Sequence, residues 1–214
     1  MKKIAIFGAG GMGREAACVI QRINEASEYP VWDFIGFYDD GVPIAEKNEM
    51  GEVLGGMAEL NKVTNELSLI IAIGNPQIIE KIKNKIDNPY ITYPNIIDPS
   101  VDFWNRESVE MGEGNIVCPY CSFSINVKTG SFNIFNGDVS LRHDVLIGSY
   151  NAIMPGVRIS GGVKIGNNNF FGLNSAVAQY KTLGSNLRIG AGSIVMEDLD
   201  NPNLYVGIPA RLIK

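Results

Sequence analysis

The chain contains one histidine, His143, and an acidic side chain, Asp144, follows it directly. An imidazole with an ordinary pKa of about 6.5 is largely neutral at pH 7, so it can take a proton from an attacking group. A neighbouring carboxylate can hold one ring tautomer and stabilise the imidazolium that forms. We therefore predict that His143 is a general base oriented by Asp144. The alternative is a histidine in an exposed surface turn.

A group of glycines near the start of the chain has the spacing of a phosphate-binding turn. Gly8, Gly10, Gly11 and Gly13 follow a short apolar run and precede a helical pattern. The backbone N–H groups of such a turn, with the N-terminus of the following helix, can hold a diphosphate. A nicotinamide dinucleotide is an alternative, although the α/β segment is short for a dinucleotide-binding domain. A turn needed only for packing is a third interpretation.

Two further pairs of residues stand where predicted strands end. Asp39 and Asp40 follow the second strand, and Gly74 and Asn75 follow the most apolar strand of the chain. Because the carboxyl ends of parallel strands meet at one edge of a sheet, both pairs should lie near the glycine turn. We predict that Asp39 and Asp40 accept hydrogen bonds from a nucleobase or a ribose. Gly74 and Asn75 are predicted to form a second wall of the same pocket.

The segments that carry these motifs alternate between strand and helix signals. The predicted elements, strands first and then helices, are 3–7, 34–38, 67–73, 14–24 and 76–86. This alternation predicts a small Rossmann-like α/β domain with a parallel sheet over residues 1–88. Residues 89–100 contain three prolines and are predicted to connect this domain to the rest of the chain.

A strict six-residue period begins after residue 101. Fourteen of fifteen positions in this series are apolar: Met111, Val117, Phe123, Thr129, Phe135, Leu141, Ile147, Ile153, Ile159, Ile165, Phe171, Val177, Leu183, Ile189 and Val195. Six is neither the helical nor the strand period. It predicts short straight segments separated by turns, each pointing one residue inward.

An eighteen-residue period is superimposed on the six-residue one. It joins two sets of identical residues, Gly112, Gly130, Gly148, Gly166 and Gly184, and Asn115, Asn133, Asn151 and Asn169. Three six-residue faces therefore make one coil, and equivalent residues stack. This pattern predicts a triangular β-solenoid within residues 101–214, with the asparagines forming a hydrogen-bonded ladder. The period does not determine the hand of the solenoid.

Composition and charge exclude several classes of protein. The net charge is −5, with 9 basic and 14 acidic residues in 1–99 and 9 of each in 100–214. A nucleic-acid-binding domain is usually strongly basic. No apolar run reaches the ~18 residues of a membrane span, and three cysteines do not make a disulfide framework. We expect a cytoplasmic protein without nucleic-acid or membrane partners. One histidine also excludes a three-histidine zinc site, and no metal is predicted.

Seven pieces of the sequence together resemble one family over nearly the full length of the chain. In order, they are residues 8–13, 38–40, 71–75, 97–100, 142–148, 172–175 and 206–211. The chain is similar to the hexapeptide-repeat sugar acyltransferases of the sialic acid O-acetyltransferase type. That family includes N-acetyltransferases that act on nucleotide-linked amino sugars such as UDP-bacillosamine precursors. Two departures are Asp98 and Asn151, which stand where the family often has histidine.

The resemblance implies a left-handed parallel β-helix that forms a homotrimer, with acetyl-CoA as co-substrate in the groove between neighbouring prisms. It implies that the acceptor is an amino sugar linked to UDP, held by the glycine turn. Asn136 would position this acceptor. The backbone N–H of Gly161 would lie near the thioester. Asn151, Arg158 and Lys181 would contact acyl-CoA.

Other interpretations remain open at this point. The acceptor can be sialic acid or a polysaccharide hydroxyl instead of an amine. A solenoid that binds a nucleotide sugar without catalysis, and a nicotinamide-dependent oxidoreductase, are alternatives of other classes. The Cys118-Pro119-Tyr120-Cys121 segment has the spacing of a redox motif. It falls in the hexapeptide register and not at a helix N-terminus, so we interpret the spacing as chance.

Overall fold

The computed structural model describes residues 1–213. Its first part is an α/β domain with a six-stranded sheet in the order β3-β4-β2-β1-β5-β6. The elements are β1 (Lys2–Phe7), α1 (Gly11–Ala26), β2 (Trp32–Tyr38), β3 (Lys47–Asn48), β4 (Gly51–Gly55), α2 (Met57–Leu60), β5 (Leu67–Ile71), α3 (Pro76–Lys85) and β6 (Ile91–Thr92). All neighbouring strands are parallel except β3 and β4.

The strands and helices of this domain that the sequence predicted are those with a clear apolar period. The middle of β1 and all of β5 are buried, as expected for central parallel strands covered on both faces. Helix α1 buries one face, including Ala16, Ala17 and Ile20, and packs against β1 and β2. The β3–β4 hairpin and the short α2 were not predicted. Each is too short to show a period in the sequence.

The segment predicted as a connector contains two strands that belong to different sheets. Strand β6 pairs with β5 at the edge of the α/β sheet. Strand β7 (Ile96–Ile97) pairs with the second coil of the solenoid. The first coil lies 20 residues before the second on two of its faces, and 18 on the third. These two extra residues interrupt the six-residue series, so the sequence period begins only at Met111, on the third face of the first coil.

The second part of the chain is the predicted triangular solenoid, and each of its three faces is one sheet. The first face contains β7, β10 (Ile116–Val117), β13 (Ile134–Phe135), β16 (Ala152–Ile153), β19 (Phe170–Phe171), β22 (Arg188–Ile189), β24 (Leu204–Val206) and the antiparallel β25 (Arg211–Leu212). The second face contains β8 (Asp102–Phe103), β11 (Ser122–Phe123), β14 (Ser140–Leu141), β17 (Arg158–Ile159), β20 (Ala176–Val177) and β23 (Ile194–Val195). The third face contains β9 (Glu110–Met111), β12 (Lys128–Thr129), β15 (Leu146–Ile147), β18 (Lys164–Ile165) and β21 (Thr182–Leu183).

The six-residue prediction of inward-facing residues is confirmed. From Val117 to Val195 every member of the series is buried, and Met111 is half-buried. From Gly114 to Gly192 each corner turns through a residue with positive φ, and all of these residues are asparagine, aspartate, glycine or aromatic. Asparagine, aspartate and glycine tolerate this conformation at low cost.

The predicted asparagine ladder is also confirmed. Asn115, Asn133, Asn151 and Asn169 are fully buried. The side-chain oxygen of each accepts the backbone N–H of the residue 18 positions later. Side-chain N–H groups donate to oxygens of the neighbouring coils. The ladder therefore satisfies backbone groups that the corners leave unpaired inside the prism.

The α/β domain lies against the first face of the solenoid. Helix α1 packs on β7, and Ile116 and Ile134 are buried in the same core as the α/β sheet. The guanidinium of Arg22 on α1 pairs with the buried carboxylate of Asp98, with Nε–Oδ2 at 2.5 Å. On the far side of the domain, Asn168 donates to Glu80 on α3 at 3.0 Å. Among the described residues, no helix is both long and apolar enough to cross a bilayer.

Candidate functional site

His143 and Asp144 lie at the corner where the second and third faces of the solenoid meet, which we call the His143 corner. The turn follows β14 and precedes β15. His143 Nδ1 lies 2.9 Å from Asp144 Oδ2. About half of each side chain is exposed. The imidazole is thus oriented through Nδ1, and Nε2 remains available to a substrate.

The carboxylate of Asp144 is held by two donors. Its Oδ2 accepts from His143, and its Oδ1 accepts from the side chain of Asn126 at 3.0 Å. These two hydrogen bonds, first that of His143 and then that of Asn126, hold the pKa of Asp144 below its ordinary value. Asp144 therefore stays ionised and can stabilise a protonated imidazole during a reaction.

Gly161 lies directly above His143, one coil later. A Cβ atom on Gly161 would overlap the imidazole, including Nε2. Glycine is therefore needed here because of space, and this reason was not predicted. The N–H of Gly161 makes no hydrogen bond within residues 1–213, whereas Gly162 donates its N–H to the carbonyl of His143 at 2.8 Å. A free N–H beside a general base can stabilise a developing oxyanion.

Two aromatic side chains at the His143 corner were missed by the sequence analysis. The ring of Tyr180 lies over Gly162, where a Cβ atom would overlap it, and the tyrosine is 67% exposed. Trp104 packs against Arg142, with the guanidinium carbon 5.0 Å from the ring centroid. The eighteen-residue period places Tyr180 two coils above Asp144, which was the available signal. These rings form walls beside the base.

The glycine turn, Asp39–Asp40 and Gly74–Asn75 meet at the carboxyl edge of the α/β sheet, as predicted. The first turn of α1 contains no acidic side chain, and no side chain caps its start at Gly10. Gly10 and Gly11 are exposed, with open space where a Cβ would lie. Their N–H groups can therefore approach an anionic ligand.

Gly13 has a different role from the one predicted. It is buried, and a Cβ atom there would overlap the carbonyl oxygen of Gly8. Its lack of a side chain lets α1 pack closely on the glycine turn. Any larger side chain at Gly13 would therefore collide with the Gly8 carbonyl, irrespective of a bound anion.

The polar residues at this edge also shape it. Asp39 accepts from the backbone N–H of Ala9 at 2.8 Å and so ties the glycine turn to the end of β2. Asp40 is exposed, and its Oδ1 accepts from Met57 N at 2.7 Å. Asn75 caps α3 through a bond from Gln77 N at 3.1 Å. Gly74 is exposed and unobstructed, as a pocket wall requires.

Asn136 lies at the corner between the first and second faces, not at the His143 corner. Its side-chain oxygen accepts from the N–H of Gly137 at 2.7 Å. It lines a largely apolar cavity of about 470 Å³ between this corner and the exposed side of α1, beside Cys18 and Pro119. Within one chain, Asn136 therefore faces a cavity beside α1 and lies at a different corner of the solenoid from His143.

The residues predicted to contact acyl-CoA have different surroundings. Asn151 is fully buried, and its side chain is engaged within the ladder, so the prediction that it contacts the acyl group is wrong. Arg158 is paired with Asp138, Nη2 to Oδ2 at 2.9 Å. Lys181 follows Tyr180 at the His143 corner and forms no ion pair among the described residues.

The cysteine pair behaves as interior packing. Cys118 and Cys121 are buried. Burial raises the pKa of both thiols, that of Cys121 to about 12. A thiol with such a pKa is protonated at neutral pH and is a poor nucleophile. This environment supports the interpretation of the redox-like spacing as chance.

Comparison with known proteins connects both halves of the chain to a defined architecture. Residues 3–86 match the family model of the PglD N-terminal domain. The acetyltransferase domain of PglB from Neisseria gonorrhoeae FA1090 is 24% identical, with a TM-score of 0.87 and 100% of each chain covered. WeeI from Acinetobacter baumannii AYE gives the same three figures. PerB from Caulobacter crescentus, solved with CoA and GDP-perosamine, is 23% identical with a TM-score of 0.87, covering 100% of this chain and 98% of that one.

These likenesses establish the fold of the whole chain, including the left hand of the solenoid. The molecule is a small α/β domain followed by a left-handed parallel β-helix. More particularly, residues 3–86 are similar to the PglD N-terminal domain, and the whole chain has the fold of the acetyltransferase domain of PglB.

Proposed function

We propose that this protein transfers an acetyl group from acetyl-CoA to the amine of a nucleotide-linked sugar. The observation that carries the proposal is the His143 corner, where an oriented imidazole lies beside the free N–H of Gly161. A base and an oxyanion donor at one point are what acyl transfer needs. The relatives support the substrates, because one was solved with acetyl coenzyme A and another with CoA and GDP-perosamine.

The reaction follows from the positions of these groups. The acceptor amine attacks the thioester carbonyl while His143 Nε2 takes a proton from the nitrogen. The N–H of Gly161 binds the oxyanion of the tetrahedral intermediate. The C–S bond then breaks, and the imidazolium returns its proton to the leaving CoA sulfur. Asp144 stabilises the imidazolium between these two proton transfers.

The third face offers a path for the coenzyme away from the base. A shallow depression of about 530 Å³ crosses this face, lined by Leu146, Gly148, Lys164 and neighbouring residues of the same strands. One of the strands that line it, β15, follows the His143 corner directly. The apolar floor suits the pantetheine arm, and Lys164 and Lys181 suit the phosphates. We therefore place CoA along the third face.

The carboxyl edge of the α/β sheet is the proposed site for the nucleotide part of the acceptor. Gly10 and Gly11 present unobstructed backbone at the start of α1, where a helix dipole favours a diphosphate. Asp40 has one carboxylate oxygen free for a base or a ribose. The PglD N-terminal domain match and the GDP-perosamine complex of a relative support this assignment.

We further propose that the active site is shared between chains of a homotrimer. The α/β domain covers the first face of its own solenoid, and in a triangular prism the His143 corner is the corner opposite that face. An acceptor held by one α/β domain therefore meets a base from another chain. A closed three-fold assembly of prisms satisfies this geometry with identical interfaces.

A thiol-release assay tests the proposal. The protein is mixed with acetyl-CoA and, in turn, UDP-, GDP- and dTDP-linked amino sugars, free amino sugars and sialic acid. We expect release only with a nucleotide-linked amino sugar, and a product heavier by one acetyl group that resists mild base as an amide does. Turnover of sialic acid, with a base-labile product, would overturn N-acetylation. Absence of release with every acceptor would overturn the enzyme assignment.

A further inference from the structure

Asn126 stands one coil below Asp144 at the same position of the His143 corner, 18 residues earlier. Its side-chain Nδ2 donates to Asp144 Oδ1 at 3.0 Å. Its own backbone N–H donates to Ser108 Oγ at 3.0 Å, and that hydroxyl donates to Asn105 O, also at 3.0 Å. A continuous series of hydrogen bonds thus runs from the first coil to the imidazole.

We propose that Asn126 is a positioning residue for the general base. By occupying Oδ1 of Asp144, it leaves Oδ2 as the oxygen that accepts Nδ1–H of His143. The proton of the neutral imidazole is thereby kept on Nδ1, and Nε2 is left as the proton acceptor. The effect on turnover rests on the proposed function, whereas the effect on the tautomer does not.

The exposure of the pair is the reason that such a support matters. The side chains of His143 and Asp144 are 47% and 58% exposed, so water competes for every oxygen and nitrogen of the pair. A carboxylate at the surface rotates freely about its last torsion unless a second donor holds it. An asparagine NH₂ can only donate, so it selects the orientation in which the carboxylate accepts from both sides. A His143–Asp144 pair that is already held in the reactive orientation lowers the activation free energy, because less conformational entropy is lost on reaching the transition state.

The backbone conformation of Asn126 allows a substitution that removes its side chain without straining the turn. Asn126 has φ of 56°, a conformation that glycine adopts without strain. Asn126→Gly therefore deletes the amide and keeps the turn. Asn186→Gly is the matched control, because Asn186 has φ of 61° at a different corner and is exposed.

The test measures directly which nitrogen of the imidazole carries the proton. His143 is the only histidine, so ¹⁵N labelling of histidine gives one pair of ring nitrogen signals. In the unmodified protein at alkaline pH, we expect Nδ1 protonated and Nε2 unprotonated. In Asn126→Gly the two signals should move towards each other as the tautomers mix, while in Asn186→Gly they should stay. The folded far-UV spectrum and the melting temperature of both variants report that the turn is intact.

The kinetic readout accompanies the spectrum. We expect kcat of Asn126→Gly to fall about 10- to 100-fold, with both KM values within about twofold. Unchanged ring signals in Asn126→Gly would overturn the proposal, and so would an equal change in Asn186→Gly. If the unmodified protein transfers no acetyl group, the proposed function fails, and the ring signals still decide the role of Asn126.

Discussion

Glycine at position 161 and histidine at position 143 depend on each other. The imidazole occupies the volume that a side chain at 161 would need, and the N–H of Gly161 has no hydrogen-bond partner within residues 1–213. A glycine with negative φ is usually replaceable, and the structure gives no positive φ for this one. Its requirement comes from the neighbouring ring alone, so a loss of function is separable from a loss of folding.

We expect Gly161→Ala to lower kcat about 100-fold or more, because a displaced imidazole loses its alignment with the attacking group. The backbone at 161 accepts alanine, so the melting temperature should change little. Steady-state kinetics and thermal unfolding measured on one preparation check both statements. Wild-type turnover in this variant would show that the ring can move without penalty.

His143→Ala removes the proposed base itself. We expect kcat to fall by about 10²- to 10⁴-fold, the usual contribution of general base catalysis. Binding of acetyl-CoA, measured by calorimetry, should be nearly unchanged, because the coenzyme path that we propose lies along the third face. Full activity of His143→Ala would exclude the proposed mechanism.

At the scale of the elements, the start of α1 is open and uncharged. Gly11 is exposed at the first helical position, and a Cβ atom there meets no atom within 4 Å. Gly11→Asp should keep the fold, because an acidic residue in the first turn favours a helix. It should also repel a bound diphosphate. We expect KM for the nucleotide sugar to rise more than tenfold and KM for acetyl-CoA to stay within about twofold.

Gly11→Ala is the control for Gly11→Asp, since alanine fits the same space without charge. Its KM values should resemble those of the unmodified protein. If both variants raised KM for the sugar equally, the effect would be steric and the anion site would be discounted. If neither did, the glycine turn would serve only the packing that Gly13 already shows.

The ion pair between α1 and the first coil is a second element-scale feature. Burial alone would raise the pKa of Asp98, but hydrogen bonds from Arg22 and Ser100 outweigh it and the pKa is lowered. A lowered folded-state pKa adds stability above the unfolded-state value of about 3.9, and that stability is lost as pH falls through the folded-state pKa. The joint between the domains should therefore weaken in acid.

Asp98→Asn should reduce the free energy of unfolding by about 1–3 kcal/mol at pH 7, since a charged hydrogen-bond partner is lost. The difference between the variant and the unmodified protein should shrink as the pH falls below the unfolded-state value. Urea unfolding at a series of pH values measures it. A constant difference at all pH values would show that Asp98 acts by packing and not by charge.

The sequence was most informative where a period repeats. The inward positions of the solenoid, the ladder of Asn115 to Asn169 and the His143–Asp144 pair followed from spacing and residue type. Contacts between distant segments were not visible, such as Arg22 with Asp98, 76 residues apart. Nor was the close approach of Gly13 to Gly8, because both a phosphate site and tight packing require glycine. Asn151 shows the same ambiguity, since burial decides between a ladder residue and a ligand contact.

At the scale of the whole molecule, the proposed sharing of the site between chains has a direct test. Chains carrying His143→Ala and chains carrying Gly11→Asp are each expected to be nearly inactive at low sugar concentration. After they are unfolded together and refolded, random assembly gives about a quarter of the sites an intact base and an intact glycine turn from two different chains. We expect about that fraction of activity to return.

Separate refolding of each variant, followed by mixing, is the control and should restore nothing unless chains exchange. Sedimentation should give about 70 kDa, three times the 23.3 kDa of one chain. Activity that stays absent in the co-refolded sample, in assemblies of the correct mass, would place base and glycine turn of one chain in the same site. The shared-site proposal would then be rejected.

The stacked coils also restrict how this chain can change in length. Each asparagine of the ladder bonds to the residue 18 positions later, and from β10 to β23 the paired strands of every face follow the same offset. One residue inserted within a strand would turn the next side chains of that strand outward, as a register slip does in any sheet, whereas a corner of the first coil holds two extra residues. Eighteen residues inserted together would add one complete coil and would leave the register of the other coils unchanged. Homologues with solenoids of different length should therefore differ by whole coils, and other insertions should lie at the corners.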